Sequence, residues 1–263
     1  MPLPGQIRVT VFPNDRAAAR ALACRVADAL AARPALVLGL PTGRTPVRLY
    51  KELVSLAAHG KADFTLARTF NLDEFLGIDA SHPGSYRAFM EEHLFRHVGI
   101  PAAQINFLNG AAPDPEAECL RYEEAIAATG GIDLQIVGIG TNGHIGFNEP
   151  ARELKARTHR VRLKPETRRS NASLFGGDPK AVPEEALSMG MATILQARSI
   201  VLLATGRSKA RCVERVVNGP ISTKLPASFL QLHHDVEVMV DEAAGAAIGN
   251  RRAGDQEESG TGG

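Results

Sequence analysis

Residues 138–150 read GIGTNGHIGFNEP and set an amide (Asn142), an imidazole (His144) and a carboxylate (Glu149) within one short turn. A histidine beside a carboxylate suits proton transfer near neutral pH. The turn follows a mostly apolar run, 132–139, that reads as a buried strand. Its glycines permit a tight bend and a close approach of backbone to a ligand. Ligands of open α/β sheets bind beyond the carboxyl ends of the strands, where this turn falls. The same composition also fits a glycine-rich connection that merely carries a solvated histidine.

Two further segments could hold an anion. LGLPTGRTP, at 38–46, runs from a strand through a small-residue turn (Thr42, Gly43, Arg44, Thr45) into a helix start. Free backbone N–H groups and the positive end of the helix dipole then face one point. Thr42 and Thr45 add hydroxyl donors. The Gly-Lys-Ser/Thr ending of a P-loop is absent, and a capped helix without ligand has the same residue types. TGRSKA, at 205–210, repeats the strand–glycine–helix pattern and adds Lys209 as a point charge for a phosphate. Two such cradles suggest a ligand with an anionic end. The remaining candidate, FNLDEF at 70–75, puts Asp73 and Glu74 just past an apolar strand. A carboxylate there can sit in a dry cleft with a raised pKa, as a general base does. The competing reading is a helix cap or loop charge.

Other polar and aromatic positions carry less chemistry. His233 and His234 are adjacent, without the i, i+4 spacing of a helical metal pair, and read as loop residues. Tyr86 and Phe89 read as packing residues. No dinucleotide-binding glycine pattern is present, and no metal site is expected.

The candidate segments need a scaffold that gathers strand ends. Strands are expected at 7–12, 35–40, 67–72, 105–108, near Val161, and at 200–204 and 236–240. Helical patterns fall at 15–32, from Pro46, at 85–97, at 115–128 and after Gly206. This alternation predicts an α/β fold, a Rossmann-like three-layer sandwich with a mostly parallel sheet and helices on both faces. One domain is expected over 1–248. The segment 176–183 reads as a mobile loop, and the polar tail at 249–263 as disordered.

Composition narrows the partners. The 263 residues are 44% hydrophobic with a net charge of +1, ample for a buried core and unlike a nucleic-acid-binding surface. Three cysteines, few and far apart, suit a reducing cytoplasm, and neither a secretory signal nor an apolar run of membrane length is visible.

Taken together, LGLPTGRTP, TFNLDEFLGI, HPGSYRAFM, INFLNG, VGIGTNGHIGFNEP, ALSMGMATIL, TGRSKA and PASFLQLH closely resemble the glucosamine-6-phosphate deaminase (isomerase) family, in consistent order from about residue 37 to 241. The related 6-phosphogluconolactonases share the fold and a glycine-rich histidine loop, but not the ending seen at Phe147–Pro150. The resemblance implies conversion of an amino sugar phosphate and water into fructose 6-phosphate and ammonia, without cofactor. It implies Asp73 as the base moving a proton between C2 and C1, and His144 as the acid/base at the ring oxygen. Glu149 would support that histidine, with Asn142 in the remaining ring-opening position. Thr42, Gly43 and Lys209 match the phosphate side. Ser173 stands where many members carry a phosphate-binding arginine, and Arg44 where the family often has a small residue. Arg44 is expected to compensate in part, alongside Thr45. His159 and Val161 stand where allosterically regulated members carry basic residues, which implies that this control is missing. The resemblance leaves room for a homo-oligomer. A lactonase-like hydrolase and a non-enzymatic sugar-phosphate sensor of the same fold are the alternatives.

Overall fold

The apolar runs at 37–40, 134–137, 199–204 and 236–241 are buried on both sides, a burial that a sheet covered by helices on each face provides. The computed structural model describes residues 7–248. In chain order it contains β1 (Arg8–Phe12), α1 (Asp15–Ala32), β2 (Val37–Leu40), α2 (Pro46–Ala58), β3 (Arg68–Asn71), β4 (Asp73–Phe75) and α3 (Tyr86–His93). There follow β5 (Ile105–Asn106), α4 (Pro115–Ala128), β6 (Leu134–Val137), β7 (His159–Arg162), α5 (Pro165–Asn171) and β8 (Glu185–Ser188). The remaining elements are α6 (Met191–Leu195), β9 (Ser199–Ala204), α7 (Ala210–Asn218), β10 (Val236–Asp241) and α8 (Glu242–Gly245). The expected tail at 249–263 lies outside the described residues.

Seven strands form one sheet in the order β1-β10-β9-β6-β2-β3-β5, and every pairing in it is parallel. Alternate residues of the same strands feed two separate cores. Leu38, Leu40, Leu134, Ile136, Val201 and Leu203 pack with α1 and α2 on one face. Val37, Val137, Ile200, Leu202 and Val238 pack with α4 and α7 on the other. This is the period-2 alternation of a strand, with both faces apolar. The predicted α/β class with a mostly parallel sheet is what forms.

The alternation of strand and helix is not continuous, however. β4, β8 and β7 make a second, antiparallel sheet. Asp73 and Glu74 therefore lie within a strand instead of just past one, and the strand near Val161 belongs to this small sheet. β8 has no isolated sequence signal because it is only four residues long, three of them buried. A third apolar cluster, with Phe75, Tyr86, Phe147, Phe175 and Ala186, fastens this sheet to the main body. The helix expected at 85–97 ends at His93, and a 3₁₀ turn at Phe95–His97 follows.

The order of the main sheet reverses between β6 and β2: β3 and β5 continue one way, and β9, β10 and β1 the other. The loops leaving the two strands at such a switch point diverge and open a crevice. Here these loops are 41–45 and 138–144. β3, beside β2, leads directly into β4, and β9, beside β6, leads into 205–209. Four adjacent strand ends thus carry all the candidate segments. No helix among the described residues is long and apolar enough to cross a membrane.

The crevice depends on α2 being held to the sheet through the fully buried Leu49 and Leu53. Leu53→Ala is expected to cost about 2–5 kcal/mol. Urea unfolding should show this as a lower midpoint with an unchanged slope.

Candidate active site

Asp73 is the most unusual group in the crevice. It is 5% exposed, and its Oδ1 is buried with no hydrogen-bond partner. Burial, with the charge of Glu74 second, pushes its pKa up to about 8. Glu74, the next residue, points to the other side of the strand and is saturated. It accepts N–H bonds from Phe75 (2.8 Å), Tyr86 (2.9 Å) and Arg87 (2.9 Å). Burial still outweighs these bonds and raises its pKa to about 7. The two readings of this acidic pair are therefore divided between its members. Glu74 closes the N-terminus of α3, and Asp73 is left unpaired in a dry site.

The 138–150 turn arrives on top of Asp73. A Cβ at Gly146 would stand 3.1 Å from Ser188 Oγ and 3.4 Å from Asp73 Oδ2, and the residue has φ +56°. Glycine is needed here for both conformation and space. The turn is fastened to β8 from both sides. Phe147 N–H donates to Ser188 Oγ (3.1 Å), and Asn148 Nδ2 donates to the carbonyl of Met189 (2.7 Å). The His144 ring lies against Gly140, where any Cβ would come within 2.1 Å of it.

Asn142 and His144 meet as expected. Asn142 Oδ1 accepts from the His144 backbone N–H (3.2 Å) and stands 2.7 Å from its Nδ1. The backbone bond fixes which end of the amide faces the ring. An amide oxygen only accepts, so Nδ1 carries the proton and Nε2 has the lone pair. Burial lowers the His144 pKa; Glu149 opposes this, while Lys209 and Lys164 add to it. Glu149 itself accepts a hydrogen bond from Thr167 Oγ1 and pairs with Lys164 at 3.4 Å. Lys164 also donates to the carbonyl of Pro150 (2.8 Å). Glu149 thus acts on His144 through its charge.

The first anion cradle stays open. Thr45 sits at the N-cap of α2 without a side-chain capping bond, and Pro46 follows. The buried Tyr50 hydroxyl, one turn into α2, donates to the carbonyl of Pro41 and anchors the loop. The second cradle differs from expectation. Both carboxylate oxygens of Asp241 accept the Gly206 N–H, at 3.0 and 3.1 Å. A carboxylate of the protein already occupies that backbone donor, and the helix proper starts only at Ala210, after a 3₁₀ turn over Arg207–Lys209. The Lys209 side chain, half-buried, still reaches the crevice. Burial lowers its pKa, and the charge of the exposed Arg44 adds to this. The charge of Arg44 is therefore felt at Lys209. Ser173 lies exposed in the turn after α5.

Among the described residues no group of three or more His, Cys, Asp or Glu side chains converges as a metal-ligand set. His233 is buried and structural, its Nε2 2.7 Å from the carbonyl of Ala197. Tyr86 packs as expected, its ring stacked on Phe147 at 5.8 Å. The roles of Ser188, Lys164 and Thr167 had no sequence signal, because each acts on a residue distant in the chain.

Comparison with known proteins agrees with this arrangement. The model of the family described as glucosamine-6-phosphate isomerases/6-phosphogluconolactonase matches residues 15–240. A glucosamine-6-phosphate deaminase of Halothermothrix orenii is 47% identical over 242 residues, 92% of this chain and 100% of that protein. The structure of a monomeric glucosamine-6-phosphate deaminase superposes with a TM-score of 0.87 at 40% identity, covering 92% of this chain and 100% of that one. A 6-phosphogluconolactonase from Trypanosoma cruzi shares the fold, with a TM-score of 0.73 at 18% identity over 94% of this chain and 98% of that one. With the crevice, the His144 turn and the buried Asp73 in place, this chain belongs to the glucosamine-6-phosphate isomerase/6-phosphogluconolactonase family.

Proposed function

We propose that this chain is a glucosamine-6-phosphate deaminase, converting glucosamine 6-phosphate and water into fructose 6-phosphate and ammonia. The observation that carries the reading is Asp73, a buried carboxyl with an unpartnered oxygen beneath the His144 turn. A lactonase hydrolyses an ester and has no C–H proton to remove. An aldose–ketose isomerase needs a base of this kind.

The chemistry follows from the two environments. His144 is neutral near pH 7, because burial holds its pKa down. Its Nε2 takes the proton of the C1 hydroxyl and returns it to the ring oxygen as the C1–O bond breaks. The open-chain aldehyde then presents its C2 hydrogen to Asp73. In its ionised form, the fraction that grows as the pH approaches about 8, Asp73 removes that proton; the electron pair forms the C1–C2 double bond and the carbonyl oxygen takes up a proton from water, giving an enolamine. Reprotonation at C1 gives the C2 imine, and addition of water with loss of ammonia gives the ketose. A carboxyl with a pKa of about 8 is a stronger base than an ordinary carboxylate. Glu149 supports the transient imidazolium by charge, with Asn142 holding the ring.

At the other end, the N-terminus of α2 with Thr42, Gly43 and Thr45 cradles the phosphate, and Lys209 and Arg44 supply its charge. Cys24, Cys119 and Cys212 are unbridged, which suits a reducing cytoplasm. The near-neutral charge suits a small anionic substrate better than nucleic acid.

Release of ammonia and fructose 6-phosphate from glucosamine 6-phosphate tests the reading directly; hydrolysis of 6-phosphogluconolactone without it would replace the deaminase by the lactonase. Asp73→Asn should lower kcat on the order of 10²–10⁴-fold and at the same time raise Tm. The native carboxyl holds its proton up to about pH 8, whereas the unfolded one releases it near pH 4. Folding stability of the wild type therefore falls between these pH values, so the Tm advantage of Asp73→Asn should widen across that window.

Two further outcomes concern the charges. The titration midpoint of His144, followed by NMR, should move up in Lys164→Met and down in Glu149→Gln. Lys209→Ala should raise KM at least about tenfold, as loss of a charge-assisted contact implies. Arg44→Ala should raise KM in the same direction. Both effects should shrink for glucosamine lacking the phosphate.

A further inference from the structure

Ser188 is fully buried at the end of β8 and lies directly across from Asp73 in the antiparallel pair of β4 and β8. Residues opposite each other in such a pair share one face of the sheet. The Ser188 hydroxyl and the Asp73 carboxyl also converge on one point. A Cβ on Gly146 would stand 3.1 Å from Ser188 Oγ and 3.4 Å from Asp73 Oδ2. A serine in this place would ordinarily donate to the carboxylate and lower its pKa. Here its bonding is committed elsewhere. Its one proton goes to the carbonyl of Met189 (3.2 Å), and its oxygen accepts the backbone N–H of Phe147 (3.1 Å). Asp73 Oδ1 is left without a partner.

The bond to Phe147 bears on what covers Asp73. The turn 145–148 is tied to β8 at two places, by Ser188 Oγ and by Asn148 Nδ2 on the carbonyl of Met189 (2.7 Å). Asn148 Nδ2 also donates to the carbonyl of Ile145 (2.9 Å) and so braces the turn internally. Of the two ties, the Ser188 bond is the one at the residue opposite Asp73, and it grips the peptide just after Gly146. The Phe147 ring packs on Phe75 and Tyr86, which holds its side chain and leaves the peptide N–H to Ser188.

We propose that Ser188 is a positioning residue for the base: by binding the Phe147 N–H and withholding its own proton, it keeps the histidine turn closed over Asp73 and the carboxyl out of water. The identity of the step that Asp73 performs rests on the deaminase reading; the closure of the turn does not. Ser188 needs no contact with the substrate for this role.

Ser188→Ala removes the acceptor of the Phe147 N–H with little change of shape. The turn then loosens, water reaches Asp73, and the carboxyl becomes easier to ionise. Titration of Asp73 by NMR of its carboxyl carbon, assigned through Asp73→Asn, should give a midpoint of about 8 in the wild type. In Ser188→Ala the midpoint should be lower by about half a unit or more. The other titratable groups around Asp73 do not imitate this shift. Glu74 keeps its three N–H donors. Burial holds down the pKa of His144 in the turn and of His159, which lies across from Ser188 on β7. Burial pushes the phenols of Tyr50, Tyr86 and Tyr122 above the usual phenol range. With glucosamine 6-phosphate at a pH above both midpoints, kcat should fall about three- to tenfold, the range of one ordinary hydrogen bond. KM should change less than about threefold. A merely structural role would lower Tm and the active fraction and leave the Asp73 midpoint of the folded protein where it was. An unchanged or raised midpoint would overturn the proposal, as would a raised KM at unchanged kcat. Should Ser188→Ala not fold, Ser188→Cys keeps the shape with a weaker acceptor; a smaller downward shift supports the proposal, and no shift overturns it. The titration needs no turnover, so an inactive wild type would count against the deaminase reading while the role of Ser188 is still decided.

Discussion

A carboxyl group held out of water without a hydrogen-bond partner is the costliest single feature of this site, and the surrounding structure is arranged around it. Asp73 would be stabilised by any nearby N–H, yet the available ones go to Glu74. Placing the two acids on opposite sides of one strand allows this division. The small antiparallel sheet exists at the place where Asp73 must be rigid, with Ser188 of β8 directly across from it. The absence of a side chain at Gly146 lets the histidine turn close over the carboxyl. The desolvation that makes the group expensive also makes it basic.

Charge is graded along the crevice. Arg44 and Lys209 stand at one end and repel each other across an open cradle, so an anion between them relieves repulsion as well as gaining attraction. At the other end Glu149 is balanced by Lys164 and by the hydroxyl of Thr167. His144 senses all three charges, Glu149, Lys209 and Lys164, and is kept neutral chiefly by burial. Neutral histidine and an unpaired carboxyl of high pKa form a pair whose environments push their acid–base properties in useful directions, as separate steps of one reaction require.

The fold contributes the meeting point. Four neighbouring strands end on the same side, and the reversal of strand order between β2 and β6 opens the space between their loops. Side chains that never touch in the chain are thereby brought to one ligand. The second strand–glycine–helix motif shows the limit of motif reading. Its Gly206 N–H looked available for an anion, but Asp241, at the end of β10, fills it. β10 pairs beside β9 in the sheet, and no local pattern reveals that neighbour.

What the amino-acid sequence determined by itself is whatever depends on local spacing. The strand–helix alternation, the glycine-rich histidine turn, the Asn142–His144 contact two residues apart, and the α2 cradle after β2 were all legible for that reason. So was the family, through motifs in consistent order. Only the tertiary structure decided which of two adjacent acids is free, because Glu74 is claimed by the N-terminus of α3, twelve and thirteen residues on. It alone decided that Glu149 is held by Thr167 and Lys164, that Asp241 closes the second cradle, and that the hydroxyl of a packing residue, Tyr86, reaches Asn171. Hydrogen bonds and burial are properties of three-dimensional neighbours, and desolvation exists only once the chain has closed around a group.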